Sequence, residues 1–334
     1  MKDRLLGCDW GTSSFRLRLV DTRSHRIIGE ILSREGVAST FDAWQAGGNH
    51  ENRDEFFRRQ LKKQIDALST QLSAGLDSVA IVISGMASSS IGMQELPYAT
   101  LPFAVDGSGV STRRFDALAG FPHEITLISG VRSQQDVMRG EETQLIGLVA
   151  LLDASGYESR EATFIFPGTH SKHLRVRNGQ LTDFQTFMTG EVFHLMATHS
   201  ILKTSVDTRD LPERADDLDA FKRGVKESVR SNVLNGLFTV RTNLLFNALD
   251  KKQNYFYLSG LLIGTEVKHF LEEDGQLVLC SGSNLYEFYR LALEGLNLSD
   301  RTTIVPPDLV DRAAVAGQIK IFQDQAATSS NPAE

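Results

Sequence analysis

At 334 residues the chain is too long for one ordinary core and suits two domains of roughly 100–200 residues each. Its hydrophobic share of 41% and charged share of 23% exclude a disordered, collagen-like or disulfide-scaffold protein, and no run of ~18 uncharged apolar residues offers a membrane span. A net charge of −7 argues against sequence-independent nucleic-acid binding, which needs basic patches, and two cysteines, Cys8 and Cys280, suit a reducing cytoplasm.

The first predicted strand is Leu5-Leu6-Gly7-Cys8-Asp9, whose carboxylate also makes the N-terminus a poor secretory signal. A polar turn, Gly11-Thr12-Ser13-Ser14, leads into a period-two strand with Phe15, Leu17 and Leu19 on one face. Residues 26–32 give a third strand, so the chain opens as an antiparallel meander. Over residues 51–73, Phe57, Leu61, Ile65, Leu68 and Leu72 recur at helical spacing. Arg58, Arg59, Lys62 and Lys63 on that helix read as a solvated face. Residues 79–84 form a nearly continuous apolar run, as expected of a strand covered on both faces. A serine-rich loop, Gly85-Met86-Ala87-Ser88-Ser89-Ser90, follows it. A strand is expected at 125–129 and a helix at 141–152.

The pattern then repeats about 160 residues on. Residues 163–166 form a strand and Pro167-Gly168-Thr169-His170-Ser171 a polar turn. A hairpin with Asn178-Gly179 at its tip follows. Helices dominate residues 190–271, where Gly260 and Gly264 allow close backbone packing. A strand at 276–280, the turn Ser281-Gly282-Ser283-Asn284 and a helix at 285–293 come next. Residues 302–305 give a last strand and 309–322 a last helix, with Ala313, Ala314, Ala316 and Gly317 small enough for a close contact. Residues 323–334 read as a frayed tail.

A turn of the form Asp-x-Gly-Thr-Ser-Ser suits phosphate. Gly11 lets backbone approach a ligand, and amides with the Thr12, Ser13 and Ser14 hydroxyls donate to phosphate oxygens. Asp9 suits the Mg²⁺ that accompanies a nucleotide. Any one such turn is equally well a simple connector. Two in equivalent places, with a third Gly-Ser turn before a helix, carry more weight.

With these turns the chain resembles the sugar-kinase, hsp70 and actin superfamily, and more narrowly the 2-dehydro-3-deoxygalactonokinase family. The specific pieces are Met138-Arg139-Gly140-Glu141-Glu142-Thr143-Gln144-Leu145-Ile146-Gly147, Pro167-Gly168-Thr169-His170, Met188-Thr189-Gly190-Glu191 and Leu258-Ser259-Gly260-Leu261-Leu262-Ile263-Gly264. The resemblance implies an α/β chain of two ribonuclease-H-like (actin-like ATPase) domains. Each would hold a mixed five-stranded sheet flanked by helices, with an interlobe cleft between them. The lobes would span residues 1–155 and 156–322. It also implies ATP-dependent phosphorylation of the terminal C6 hydroxyl of 2-dehydro-3-deoxy-D-galactonate in galactonate breakdown, with ATP and Mg²⁺ as cofactors. A kinase for a related 2-keto-3-deoxy acid, a nucleotide phosphatase and a non-catalytic nucleotide switch stay open. No nucleic-acid or membrane partner is expected, and apolar helix faces suit either the core or a homo-oligomer.

The resemblance also implies roles by position. Gly11, Thr12 and Ser13 would form the first phosphate motif, Gly168, Thr169 and His170 the second, and Gly282 with Ser283 the adenosine motif. Hsp70 and actin have a carboxylate in the second phosphate turn; residues 167–171 have none, so the base must come from elsewhere. Gly140-Glu141 matches the place of the sugar-kinase base, which ranks Glu141 first and Glu142 second, with Asp9 and Asp136 also open. A carboxylate in a first helical turn is equally ordinary dipole chemistry. Gly85, Met86, Ser88, Ser89 and Ser90 offer hydroxyls and amides for the sugar acid, or simply cap the next element. Arg139 would meet the substrate acid group or pair with a carboxylate. Lys172 points either to the nucleotide or to solvent. His194 and His199, five apart, read as structural rather than as a metal pair.

Overall fold

The computed structural model describes residues 3–48, 51–153, 161–209 and 215–329. In chain order its elements are β1 (Arg4–Trp10), β2 (Phe15–Asp21), β3 (Ile27–Ser33), α1 (Val37–Ala46), α2 (Arg53–Leu72) and β4 (Ala80–Gly85). Six short strands follow, β5 (Ala99–Thr100), β6 (Phe103–Ala104), β7 (Thr112–Phe115), β8 (Ile125–Ile128), β9 (Val131–Arg132) and β10 (Val137–Met138), then α3 (Glu141–Asp153). The second half holds β11 (Glu161–Phe166), β12 (Ser171–Arg177), β13 (Gln180–Phe187), α4 (Thr189–Thr198), α5 (Ala215–Arg230), α6 (Val233–Leu245) and α7 (Lys251–Val267). It ends with β14 (Leu277–Leu279), α8 (Ser283–Gly295), β15 (Thr302–Ile304) and α9 (Pro307–Ser329).

The chain divides into two compact units. One holds Met1–Arg160, Arg177–Asp183 and Leu309–Glu334; the other holds Glu161–Val176 and Phe184–Asp308. In the first unit the sheet order is β3-β2-β1-β4-β8-β7. The opening meander is antiparallel, while β1, β4 and β8 run parallel. Every residue of β4 and β8 is buried, which is why β4 reads as a nearly continuous apolar run. The stripe of α2 lies on this core, with Phe57, Leu61, Ile65 and Leu68 buried.

In the second large sheet β13-β12-β11-β14-β15 repeats the order β3-β2-β1-β4-β8. Asn178 and Gly179 both take positive φ at the hairpin tip, as a two-residue turn requires. Gly260 of α7 packs so closely on α5 that a Cβ there would lie 2.1 Å from the Phe221 carbonyl oxygen.

These two sheets hold six strands each where five were expected, and β10-β9-β5 form a third, three-stranded sheet. The additions are edge strands without an apolar signature. β7 carries Arg113 and Arg114 and has no buried residue. β6 is two residues long, and it pairs with Gln180 and Leu181, which belong to the first unit. The last helix was expected within the second lobe, but it belongs to the first unit. Small residues bring it against α3: a Cβ on Gly147 would lie 1.9 Å from the Ala313 carbonyl oxygen, and one on Gly317 2.0 Å from that of Thr143. Gln318 then donates to the Cys8 carbonyl and to Ser84 Oγ, both at 2.9 Å. α9 continues to Ser329, through the first part of the expected tail, and the rest of that expectation lies outside the described residues. No helix among the described residues is long and apolar enough to cross a membrane.

Candidate active site

In the first unit, β1 delivers Asp9 to the edge of the first turn. The Gly11 amide donates to the Ser14 carbonyl at 2.9 Å and closes the turn. Its carbonyl side is tied to α1, since the Val37 and Ala38 amides donate to the Gly11 and Thr12 carbonyls at 2.9 and 3.1 Å. Gly36 fits tightly here; a Cβ would lie 2.3 Å from the Thr12 carbonyl oxygen. Thr12 and Ser13 therefore present their exposed side chains on the free side of the turn.

Asp9 is about a quarter exposed. Its carboxylate lies 3.7 Å from Arg16 Nη1 and abuts Gly85, where a Cβ would stand 3.3 Å from Asp9 Oδ1. Gly85, at φ +89°, ends β4, and Gly140, at φ +112°, precedes α3. A Cβ on Gly140 would lie 3.4 Å from the Gly85 Cα, so these two backbones touch beside Asp9. Burial raises the Asp9 carboxyl above its ordinary value; Arg16 opposes this and the Glu141 charge adds to it. The fold thus gathers Asp9, Gly85 and Glu141 from segments far apart in sequence. Glu141 is half-buried at the first position of α3.

Glu142 is placed differently. It is 1% exposed and folds back on its own turn. Its Oε2 accepts from the Gly140 amide at 2.7 Å and its Oε1 from Thr143 Oγ1 at 3.0 Å. Both oxygens of Glu142, the second-ranked candidate base, are thus engaged at the helix N-terminus, unlike the position of Glu141 beside Asp9. Burial first, and Glu141 second, push its carboxyl from 4.5 up to about 7. A raised carboxyl favours the protonated form in the folded state. The stability it permits is full below 4.5 and declines as pH rises through 7, by about 3 kcal/mol in all. Glu142→Gln is expected to gain stability at pH 8 and to flatten that pH dependence in urea denaturation. Lower stability at pH 8 would contradict the assignment.

The serine loop begins as a single helical turn, Met86–Ser88, with Met86 half-buried. Ser88 Oγ accepts from Arg139 Nη1 at 2.8 Å, and Arg139 Nη2 donates to the Leu96 carbonyl at 2.9 Å. The guanidinium also stacks 3.9 Å from the Tyr98 ring centroid. Arg139 therefore holds the loop in shape with the two nitrogens that a substrate carboxylate would need. Ser89 Oγ is buried without a protein partner, and Ser90 is exposed, its carbonyl accepting from Arg53.

In the second unit, Gly168 opens the second turn into free space; the nearest atom to a Cβ there is 3.8 Å away. Thr169 is clamped by α4. The Glu191 amide donates to its carbonyl at 3.1 Å, and a Cβ on Gly190 would lie 2.8 Å from its Cα. His170 is exposed, with Nε2 2.5 Å from Glu191 Oε2. Lys172 is buried, not solvent-facing, with Nζ 3.5 Å from the His170 carbonyl.

Under this turn lies Glu266, 2% exposed. It accepts from Ser171 Oγ at 2.6 Å, His173 Nε2 at 2.9 Å, Tyr289 OH at 2.7 Å and Thr189 Oγ1. Burial works to raise its carboxyl, but His173, Ser171 and Thr189 outweigh it and hold the group below its ordinary value. One carboxylate thus joins the start of β12, the start of α4 and the helix α8. At the head of α8, Gly282 is the N-cap, Ser283 is exposed, and Ser281 Oγ donates to the Gly282 carbonyl at 3.0 Å. Neither Glu191 nor Glu266 was assigned a role from sequence, although Glu191 lies within a motif that marks the family.

A family model described as 2-keto-3-deoxy-galactonokinase matches residues 9–321. The 2-dehydro-3-deoxygalactonokinase of Escherichia coli (strain K12) is 31% identical over 247 residues, covering 72% of this chain and 78% of that protein. A relative from Rhizobium meliloti (strain 1021), named as a probable 2-dehydro-3-deoxygalactonokinase, is 32% identical over 302 residues, with 88% and 90% covered. A crystal structure from Sinorhizobium meliloti, of a protein assigned as a 2-dehydro-3-deoxygalactonokinase, superposes with TM-score 0.74 at 29% identity, covering 99% of this chain and 98% of that one. The fold alone is shared with the ADPNP-bound activator of a 2-hydroxyisocaproyl-CoA dehydratase from Clostridium difficile, at TM-score 0.51 and 11% identity, with 99% and 98% covered. With a family match across all three turns and two curated relatives above 30% identity, this chain belongs to the 2-keto-3-deoxy-galactonokinase family.

Proposed function

We propose that this chain is an ATP-dependent kinase that phosphorylates the C6 hydroxyl of 2-dehydro-3-deoxy-D-galactonate. The observation that carries this reading is the family match over residues 9–321, which takes in Asp9, Glu141, Gly168 and Gly282 together. Each unit by itself holds a turn of suitable chemistry. The amides and hydroxyls of Gly11, Thr12 and Ser13, and of Gly168, Thr169 and His170, receive phosphate oxygens. Gly282 and Ser283, at the N-terminus of α8, lie along the adenosine. The sugar acid is read at the loop of Gly85, Met86, Ser88, Ser89 and Ser90.

Phosphoryl transfer asks mainly for positioning and charge stabilisation. Glu141 takes the proton of the C6 hydroxyl onto a carboxylate oxygen as the hydroxyl oxygen bonds to phosphorus and the bond to ADP breaks. Asp9 fits Mg²⁺: it is a partly exposed carboxylate whose charge is opposed by that of Glu141. No group of three or more His, Cys, Asp or Glu that would hold a metal occurs among the described residues, and Mg²⁺ commonly binds through one or two carboxylates with waters and phosphate oxygens. When bound, the ion supplies charge neutralisation at the phosphates.

A coupled ADP-release assay tests the reading. ADP is expected only when a 2-keto-3-deoxy sugar acid is present, with the galactonate-derived epimer preferred over the gluconate-derived one. ADP release independent of any sugar acid would overturn it in favour of a phosphatase. The placement of the second turn has its own test. Gly168→Val meets open space in the protein, so it is expected to fold normally and to lose ATP affinity by ~10-fold or more through clash with phosphate. Unchanged ATP affinity would remove this turn from the site.

A further inference from the structure

The second turn lacks a carboxylate in sequence, yet the fold supplies one. Glu191, 21 residues beyond His170, sets Oε2 at 2.5 Å from His170 Nε2. The first unit shows that this carboxylate is not needed to clamp a turn. There Gly36 packs on Thr12, and the amides of Val37 and Ala38 make the same kind of contact with Gly11 and Thr12. Neither Val37 nor Ala38 carries a charge. The second unit keeps the glycine and the amide bond but adds a carboxylate, and the carboxylate is spent on an exposed imidazole rather than on the backbone.

We propose that Glu191 is a positioning residue for nucleotide binding. It holds Nε2–H of His170, so that with polyphosphate bound the ring carries a proton on each nitrogen, Nε2–H donating to Glu191 and Nδ1–H to a phosphate oxygen. A proton on Nδ1 matters because an unprotonated ring nitrogen is an acceptor and offers phosphate nothing. Charge-assisted bonds on both sides of the ring fix its orientation and stabilise the bound state. Lys172 Nζ also meets the His170 carbonyl, and His173 is turned to Glu266. The inference rests on the reading that the second turn takes the phosphates of ATP.

The test uses the full chain with Mg²⁺ and adenylyl imidodiphosphate. Calorimetry in two buffers of different ionisation enthalpy is expected to show proton uptake on binding near pH 8. In Glu191→Gln the uptake is lost, KM for ATP rises ~10-fold and kcat moves by less than about threefold. Glu191→Asp, which keeps the carboxylate, recovers part of the KM. Unchanged KM and uptake in Glu191→Gln would overturn the proposal, as would an equal loss in kcat and kcat/KM. Imidazole ¹⁵N spectra of the wild-type complex give a check that needs no variant; an unprotonated Nδ1 of His170 in that complex also overturns it. Gly168→Val separates the two levels. If it binds nucleotide normally, the reading of the turn fails; if it loses binding while Glu191→Gln does not, only the role of Glu191 fails.

Discussion

Glu141→Gln is expected to lower turnover by ~10²-fold or more while substrate KM values stay near those of the wild type. The substitution keeps size and helix propensity and removes only the proton acceptor. Glu141 is half-buried at the head of α3, beside the contact of Gly140 with Gly85 and near enough to Asp9 to raise its carboxyl. If Glu141 merely favours the helix N-terminus, the loss would instead be ~0.3–1 kcal/mol of stability with nearly normal turnover. Asp9→Asn is expected to behave differently from both, with a steeper requirement for Mg²⁺. Steady-state kinetics at saturating sugar acid and varied Mg²⁺ distinguish the three patterns. Normal turnover in Glu141→Gln would return the role of base to Asp9 or Asp136, or to a mechanism without a protein base.

Glu266→Ala is expected to cost about 3–5 kcal/mol of stability, the scale for removing one partner from a buried charged network. The substitution leaves Ser171, His173, Thr189 and Tyr289 facing a cavity, and at least three of them lose a well-formed bond. The midpoint of urea denaturation measures this. The loss should also reach nucleotide binding, since Ser171 follows the second turn and α8 begins at the third. The pH signs of the two buried glutamates are opposite. Glu266 has a lowered carboxyl, so its stabilisation is full above 4.5 and is lost as pH falls through the lower folded value. Glu142 has a raised one, and its cost appears as pH rises from 4.5 through 7. Acid unfolding of Glu266→Gln should therefore be shallower than that of the wild type, whereas Glu142→Gln should differ from the wild type mainly above pH 5. A Glu266→Ala protein with wild-type stability would show that the four donors find other partners.

By itself the sequence determined what short-range patterning controls. The β1-β2-β3 meander, the Asn178-Gly179 hairpin, the stripe of α2 and the three glycine-containing turns are each legible within a few residues, because alternation, helical spacing and turn chemistry are local. The family was legible from motifs of four to ten residues. What only the tertiary structure decided depends on partners remote in the chain. Glu141 and Glu142 are adjacent and chemically alike, yet one stands beside Asp9 and the other is sealed in its own turn, because a helix turns neighbouring side chains in different directions and only one of them meets the core. The edge strands β6 and β7 have no apolar alternation to announce them. The unit of α9 follows from contacts with Gly147 and Thr143 more than 160 residues earlier. The carboxylate absent from the second turn is supplied across the β12–β13 hairpin by Glu191, and the group beneath it by Glu266 from α7, 95 residues beyond Ser171. Such pairings are set by how helices close over a sheet, a long-range result of packing that no local pattern encodes.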